Sequence, residues 1–321
     1  MQHVFQRWLA YSLCRAASTS FHPVRMPSDS DSASLAGTIF VVATPIGNLG
    51  DLTPRAREIL AGVSLIAAED TRHTRQLLQS FGLEAKLTSL HDHNEAEKSA
   101  ELIDRVARGD SLAIVSDAGT PLISDPGFSL IAAARQRAVP VIAIPGACAA
   151  IAAISVSGLP ADRFTFEGFL PAKNAARRSR LDALAAETRT LIFYEAPHRL
   201  REVLDDMASI FGSERHATVC RELTKRFETT YSGSLAELSA TAANDENMSR
   251  GEIVIVVAGA PAAKQESAAF DAQQLLRALL DELPPAQAAK IAARVTGMKR
   301  AALYDLAMQF AGKGHLKEEE K

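Results

Sequence analysis

From Thr38 onward, short runs of aliphatic and β-branched residues alternate with longer stretches whose apolar positions recur at helical spacing. The runs at 38–43, 65–68, 87–90, 112–116 and 141–144 predict strands, and the stretches at 54–60, 71–81, 95–108 and 128–137 predict helices between them. Thr53 is an N-cap with Pro54 at the first helical position, and Gly109 ends the helix at 95–108. Such alternation predicts a mostly parallel sheet with helices on its faces. Residues 147–157 are small and apolar and predict a packed helix, after which Gly158-Leu159-Pro160 reads as a hinge.

The second half predicts strands at 163–167, 191–194, 217–221, 228–232 and 253–257, with a helix at 198–211 among them. The segment 228–233 reads as an antiparallel partner, so this domain is expected to be mixed α/β. Beyond Pro261 the pattern changes to an amphipathic stretch at 271–282, a Pro284-Pro285 break, and helices at 286–295 and 299–310 around Thr296-Gly297. That is a small helix–turn–helix-like bundle with a charged, frayed tail at 317–321. The expected organisation is a disordered leader at 1–36, an N-terminal α/β domain at 37–157, a C-terminal α/β domain at 158–262 and a helical module at 263–321.

Composition narrows the picture. A chain of 321 residues is too long for one ordinary core. A net charge of −3 excludes a wholesale nucleic-acid coat, so any contact with a polyanion rests on local patches. No apolar run is long enough to span a bilayer. Cys14, Cys148 and Cys220 match neither a zinc spacing nor a disulfide framework and read as reduced cysteines of a cytosolic protein. Residues 1–25 lack acids, carry three arginines and have a transit-peptide flavour, but they read rather as a leader preceding a start at Met26.

Candidate chemistry collects at strand ends. The first strand leads into Thr44-Pro45-Ile46-Gly47-Asn48-Leu49-Gly50-Asp51, a glycine-bearing turn that lacks the G-x-G-x-x-G of a nicotinamide site. After the fourth strand come Ser116-Asp117-Ala118-Gly119-Thr120-Pro121 and Ser124-Asp125-Pro126-Gly127; after the fifth comes Pro145-Gly146-Ala147-Cys148-Ala149. One such cluster makes a turn. Three in succession at strand ends favour a nucleoside-like ligand. Polar clusters at 69–73 and 91–95 also follow strands, and the latter reads as a capped helix start more readily than as a metal site. In the second half, residues 194–199 and 221–228 carry mixed charges that favour a polyanionic substrate. Lys173, Arg177, Arg178 and Arg180 form a further basic stretch, commonly a solvated helix face but capable of tracking phosphates.

These segments resemble the tetrapyrrole (corrin/porphyrin) methylase superfamily, and within it the branch of small-subunit ribosomal RNA cytidine 2'-O-methyltransferases. The matching motifs are TPIGNLGDLT at 44–53, AEDTRHT at 68–74, HDHNE at 91–95, SDAGTPLISDPG at 116–127, EGFLPAK at 167–173, EAPHR at 195–199, RELTK at 221–225 and GEIVIVV at 251–257. The likeness runs from about Gly37 to Phe310 and includes GMKRAA at 297–302.

The resemblance implies a bilobal fold, S-adenosylmethionine in the cleft between two α/β domains, a homodimer, and 16S rRNA in the small ribosomal subunit as substrate. Carried over motif by motif, it implies a cofactor site of Pro45, Ile46, Asp117, Thr120, Cys148, Ala149 and Tyr194. Cys148 stands where the superfamily often has serine or threonine. The segments at 69–74, 91–95 and 221–228 favour the RNA-modifying branch over its tetrapyrrole-modifying relatives. The helical module is expected to help hold the ribosomal subunit.

The expected reaction is in-line attack of a ribose 2'-oxygen on the sulfonium methyl group, without a metal. Glu69, Asp70, His91, Glu195 and Lys225 are candidates by chemistry for receiving the hydroxyl proton, the lysine only with a depressed pKa. Arg72, Arg199, Arg221 and Lys225 are candidates for meeting RNA phosphates. The rival readings are a tetrapyrrole methyltransferase and a non-catalytic RNA-binding adaptor.

Overall fold

A computed structural model describes residues 35–91, 94–261 and 266–314. The leader at 1–25, Asp92 and His93, and the charged tail at 317–321 lie outside the described residues. The chain divides into two compact units, Met1–Cys148 and Ala149–Lys321.

In the first unit, strands β1 (Ile39–Val42), β2 (Leu65–Ala68), β3 (Leu87–Ser89), β4 (Leu112–Val115) and β5 (Val141–Ile144) form one sheet in the order β3-β2-β4-β1-β5. Every pairing is parallel, as the sequence pattern predicts. Parallel neighbours require crossovers. Helices α1 (Pro54–Gly62), α2 (Thr71–Ser80), α3 (Glu95–Ala107) and α4 (Phe128–Gln136) lie along those connections.

Strand periodicity sorts the core. Ile39 and Val41 face Leu102 and Ile103 of α3 and Leu130 of α4, whereas Phe40 and Val42 face Ala56 and Leu60 of α1 and Leu78 of α2. Both faces of the sheet are therefore covered, which is why its strands read as unbroken apolar runs. Each large aliphatic side chain fully buried there contributes about 1.5–3 kcal/mol. Leu35 also packs against the α1/α2 side, two residues before the expected domain start at Gly37.

One consequence of this topology positions a site. β1 and β4 are neighbours, yet β1 leads to α1 on one face and β4 leads to α4 on the other. Their connecting loops leave the sheet in opposite directions and open a crevice beyond the strands' carboxyl ends, where open α/β sheets bind ligands.

The second unit begins with α5 (Ala149–Val156), followed by β6 (Phe164–Phe169), α6 (Asn174–Leu184), β7 (Thr190–Glu195), a short 3-10 turn Pro197–Arg199, α7 (Leu200–Phe211), β8 (His216–Arg221), β9 (Thr229–Ser234), α8 (Leu235–Asn244) and β10 (Ile253–Val257). The sheet order is β6-β7-β10-β8-β9, with β6–β7 parallel and the remaining pairs antiparallel, so the sheet is mixed. Leu191, Phe193, Val219 and Ile255 share one core with Leu181 of α6, Leu204 of α7 and Leu238 of α8. On the other face the small residues of α5 bury Ala150, Ala153 and Ile154, and the Thr218 hydroxyl donates to the Ser157 carbonyl at 3.0 Å. Residues 149–156, which the sequence reading places at the end of the first domain, thus pack on the second sheet.

Helix α8 carries a signal that hydrophobic pattern alone does not show. Ser234 and Glu237 form a reciprocal capping box at its start. The last three helices, α9 (Glu266–Leu280), α10 (Pro285–Thr296) and α11 (Arg300–Gly314), bury Leu276, Ala288, Ala292, Leu303 and Ala307 in a core of their own. Gly297, at φ +73°, closes α10 in the left-handed region that an ordinary residue avoids. No helix among the described residues is long and apolar enough to cross a membrane.

Candidate active site

In the first unit, three loops are laced together at the crevice. Thr44 N–H donates to the Gly119 carbonyl at 2.8 Å, and Gly119 N–H returns to the Thr44 carbonyl at 3.1 Å. The Thr120 hydroxyl donates to the Ala147 carbonyl at 2.9 Å, tying the loop after β4 to the loop after β5. Two glycines make the approach possible. A Cβ on Gly119, whose φ is +82°, would lie 3.2 Å from Ile46 Cγ2, and one on Gly146 would lie 2.9 Å from Ala43 Cβ. Pro45, Ile46, Asp117, Thr120 and Cys148, all expected at a cofactor site, therefore come to one end of one sheet. Pro45 and Ile46 are buried there, and Asp117, Thr120 and Cys148 are half-buried.

The loops after β2 and β3 reach the same sheet end. Asp70 N–H donates to Asp117 Oδ1 at 3.0 Å, and Asp117 N–H points to Glu69 Oε2 at 3.5 Å. Asp70 also caps α2. Its hydrogen bond from the Arg72 side chain, helped by the Arg72 backbone N–H, holds the carboxyl down to about 2. Pairing with Arg72 favours the ionised carboxylate and disfavours Asp70 as a proton acceptor. Arg72 itself is highly exposed and pairs with Asp70 at 2.9 Å.

The HDHNE motif divides its labour. His91 N–H donates to Asn94 Oδ1 at 3.0 Å, while buried Glu95 accepts from Ser129 N–H at 2.5 Å at the start of α4. Glu95 thus secures the helix that follows the loop at 116–127, an anion at a positive helix end. Among the described residues no group of three His, Cys, Asp or Glu side chains could hold a metal ion.

In the second unit, β7 carries Tyr194 and Glu195 on opposite faces. The Tyr194 hydroxyl accepts from Ala150 N–H at 3.2 Å, and its ring meets Phe166 and Phe169 edge-on at centroid distances of 4.9 and 5.7 Å. A bulge between Phe166 and Gly168 brings both phenylalanines to the same tyrosine. Without it, strict alternation would send them to opposite sides. Sequence periodicity therefore missed Phe166 and Phe169 as neighbours of Tyr194.

Glu195 points to the other face, with its side chain fully buried 3.4 Å from Arg199 Nε. Burial pushes its carboxyl above the ordinary value, against the Ala196 N–H, Arg199 and Arg177. Arg199 donates through Nη2 to the carbonyls of Leu170 and Pro171, both at 3.0 Å. Glu195 and Arg199 thus fasten the turn after β7 to the loop after β6.

Arg221 behaves in the same way. It is 8% exposed, and it donates to the Arg250 carbonyl at 2.7 Å and the Phe227 carbonyl at 2.9 Å. So buried and so bonded, Arg221 shapes the loops around it, and the expectation that it meets RNA finds no open face of the guanidinium here. Lys225 lies 3.0 Å from Glu222 and 3.1 Å from Glu252. Burial works to lower its pKa, but the two carboxylates outweigh it and the pKa is raised. Lys225 is consequently a held cation; the depressed pKa that a lysine base needs is absent.

In the basic stretch beginning at Lys173, Arg177 alone is buried, and its three arginines are paired with carboxylates. Arg177, 1% exposed, lies 2.7 Å from Asp206 and 2.6 Å from Glu202, Arg178 pairs with Asp206 at 2.6 Å, and Arg180 pairs with Glu167. These arginines knit α6 to α7 and β6.

Comparison with known proteins identifies the lineage of this arrangement. Residues 38–239 match the model of the Tetrapyrrole (Corrin/Porphyrin) Methylases, and residues 266–311 match the RsmI C-terminal HTH domain. The chain belongs to the tetrapyrrole methylase family, in the branch of ribosomal RNA small subunit methyltransferase I. The ribosomal RNA small subunit methyltransferase I of Xylella fastidiosa (strain Temecula1) is 60% identical over 272 residues, covering 84% of this chain and 99% of the relative. That of Pseudomonas aeruginosa is 55% identical over 279 residues, covering 87% and 99%. Among solved structures, the methyltransferase CobJ matches with a TM-score of 0.52 at 18% identity, over 70% of this chain and 95% of that one. Uroporphyrin-III-C-methyltransferase from Thermus thermophilus matches with a TM-score of 0.50 at 19% identity, over 69% and 94%. At such identities these two show the shared fold. As a member of this family the chain is an S-adenosylmethionine-dependent methyltransferase.

Proposed function

We propose that this methyltransferase acts on 16S rRNA in the small ribosomal subunit, methylating the ribose 2'-hydroxyl of a decoding-region cytidine. Whole-length kinship carries the choice of substrate: a relative of that name aligns over 99% of its own length, helical module included. The module adds a physical argument. From Pro284 to Tyr304 it carries Lys290, Arg294, Lys299 and Arg300 and no acid, in a chain whose net charge is −3. All four cations are exposed. Such a local basic face suits a phosphate backbone. A ribosomal substrate places the enzyme in the cytoplasm, and the exposed Ile151 and Val156 of α5 support an apolar contact between two copies in a homodimer.

The residues present fit the cofactor. The Cβ-free approach at Gly119 and Gly146 brings three loops together around Pro45, Ile46, Asp117, Thr120 and Cys148. The family pattern implies Ala149 and Tyr194 as well. When bound, S-adenosylmethionine supplies a methyl carbon made electrophilic by a positively charged sulfur. The protein's task is then to align the 2'-oxygen with that carbon and to receive its proton. Arg72 holds Asp70 ionised, two carboxylates hold Lys225 as a cation and Glu195 lies on the opposite face of β7 from Tyr194, which favours Glu69 and His91 as acceptors.

The test uses radiolabelled S-adenosylmethionine and small ribosomal subunits from a strain lacking this protein, followed by mapping of the label. Label on a cytidine ribose 2'-oxygen is the expected result. Label on a tetrapyrrole and none on RNA would overturn the substrate while leaving the family standing. No S-adenosylmethionine binding by calorimetry would favour the non-catalytic RNA-binding adaptor.

A further inference from the structure

The hairpin loop at 222–228, between β8 and β9, is restrained far more than a connection requires. Glu222 and Thr224 hold positive φ values of +53° and +66°, a region that ordinary residues enter only when their surroundings force them. Main-chain bonds impose it: Glu222 N–H donates to the Glu252 carbonyl at 2.9 Å, and Lys225 N–H donates to the Glu222 carbonyl at 3.0 Å. Side chains add Glu252 N–H to Glu222 Oε1 at 2.9 Å and Thr224 N–H to Glu228 Oε2 at 2.8 Å. From beneath, buried Arg221 grips the Phe227 carbonyl.

What this frame presents is an aromatic ring in water. Phe227 is 61% exposed, and the Arg226 guanidinium lies 5.6 Å from its ring centroid. A lone exposed apolar side chain calls for no explanation. A ring on a residue whose backbone is held through its carbonyl, on a strained loop and beside Lys225 and Arg226, does, because hairpin loops ordinarily carry small polar residues. The loop also stands at a chosen place. Ile253 pairs with both Glu195 and Arg221, so the ends of β7 and β8 are level, about 10 Å apart across two strand spacings. Phe227 therefore rises from the sheet end that carries Tyr194 and the 58% exposed Phe169.

We infer that Phe227 is a stacking platform for an unpaired nucleobase of the RNA substrate, with Arg226 meeting a neighbouring phosphate. Aromatic faces beside cations are how proteins hold single-stranded RNA, since every base has a π-face and every linkage a charge. This assignment rests on the proposed rRNA substrate.

The test compares the full-length wild type with Phe227→Ala, Phe227→Trp and Arg226→Ala. Each is titrated with a short fluorescein-labelled single-stranded RNA of mixed sequence across a salt series, and KM for small ribosomal subunits is measured in parallel. Phe227→Ala is expected to weaken RNA binding about fivefold to a hundredfold and to raise KM with the salt slope unchanged, whereas Phe227→Trp restores both. Arg226→Ala should flatten the salt slope by roughly 0.7. Calorimetric binding of S-adenosylmethionine should match the wild type throughout. Wild-type RNA affinity and KM in Phe227→Ala would overturn the platform while the rRNA reading stands. A sedimentation change without an RNA effect would also overturn it, assigning the ring to self-association. A wild type that takes up S-adenosylmethionine but neither binds RNA nor methylates subunits would remove the rRNA reading and the platform together.

Discussion

Replacing Arg221 by alanine is the sharpest test of the distinction between cations that build the second unit and cations that meet a substrate. Its guanidinium spans two carbonyls, those of Arg250 and Phe227, at 2.7 and 2.9 Å. Bonds from a charged donor contribute about 1.5–3 kcal/mol each, and the deserted carbonyls lose their partner as well. Water entering from the exposed side of the loop recovers part of that, so the expected loss is about 3–5 kcal/mol. With a urea m-value of about 3 kcal/mol/M, the midpoint falls by about 1–1.7 M in an unfolding curve followed by circular dichroism. Arg221→Lys retains the charge but spans only one carbonyl, and about half the loss should remain. RNA affinity should drop in Arg221→Ala because the loop carrying Phe227 loosens, yet the salt slope should stay that of the wild type. The reasoning is refuted if Arg221→Ala unfolds like the wild type while its salt slope flattens, for the side chain would then be bonding phosphate and not carbonyls.

Two other outcomes follow from the geometry. Gly146→Ala places a methyl 2.9 Å from Ala43 Cβ and pushes the loop after β5 away from β1; overpacking of this kind costs about 1–3 kcal/mol, and calorimetry should show S-adenosylmethionine affinity down about tenfold, unaltered affinity counting against that loop as a cofactor wall. Glu195 offers a pH test, because burial raises its carboxyl above the ordinary 4.5, so the folded chain holds this proton more tightly than the unfolded one. Its stabilising contribution is complete below the unfolded value and is lost as pH rises through the folded one. Glu195→Gln, which cannot ionise, should gain on the wild type in thermal melts as pH rises from about 4 to 8; a difference that stays constant with pH would contradict the assignment.

Much of the first unit was legible in advance because local rules and tertiary structure agree there. Strands buried on both faces read as continuous aliphatic runs, and the Thr53 cap with Pro54 marks where α1 begins. The three turn clusters at the ends of β1, β4 and β5 pointed to a ligand edge because a parallel sheet brings all such ends to one side. Helices α6 and α8 were harder. The first is rich in charge without a clean apolar stripe, and the second is marked chiefly by the Ser234–Glu237 capping box.

The sequence by itself therefore determined the alternation of elements, the parallel sheet, the family and the edge at which chemistry collects. Tertiary structure decided the work of individual charges. Arg199 and Arg221 look from the sequence like cations awaiting a polyanion, but they bond the carbonyls of Leu170, Pro171, Arg250 and Phe227. Backbone carbonyls are present at every residue and leave no mark in the sequence, so only the folded chain shows which ones a guanidinium reaches. The same holds for Lys225, whose partner Glu252 lies on the approach to β10, 27 positions away in the chain and 3.1 Å away in space. The local sequence shows one of its two carboxylate partners, Glu222 three residues before it; the second is brought close only by sheet pairing, and both hold the lysine charged.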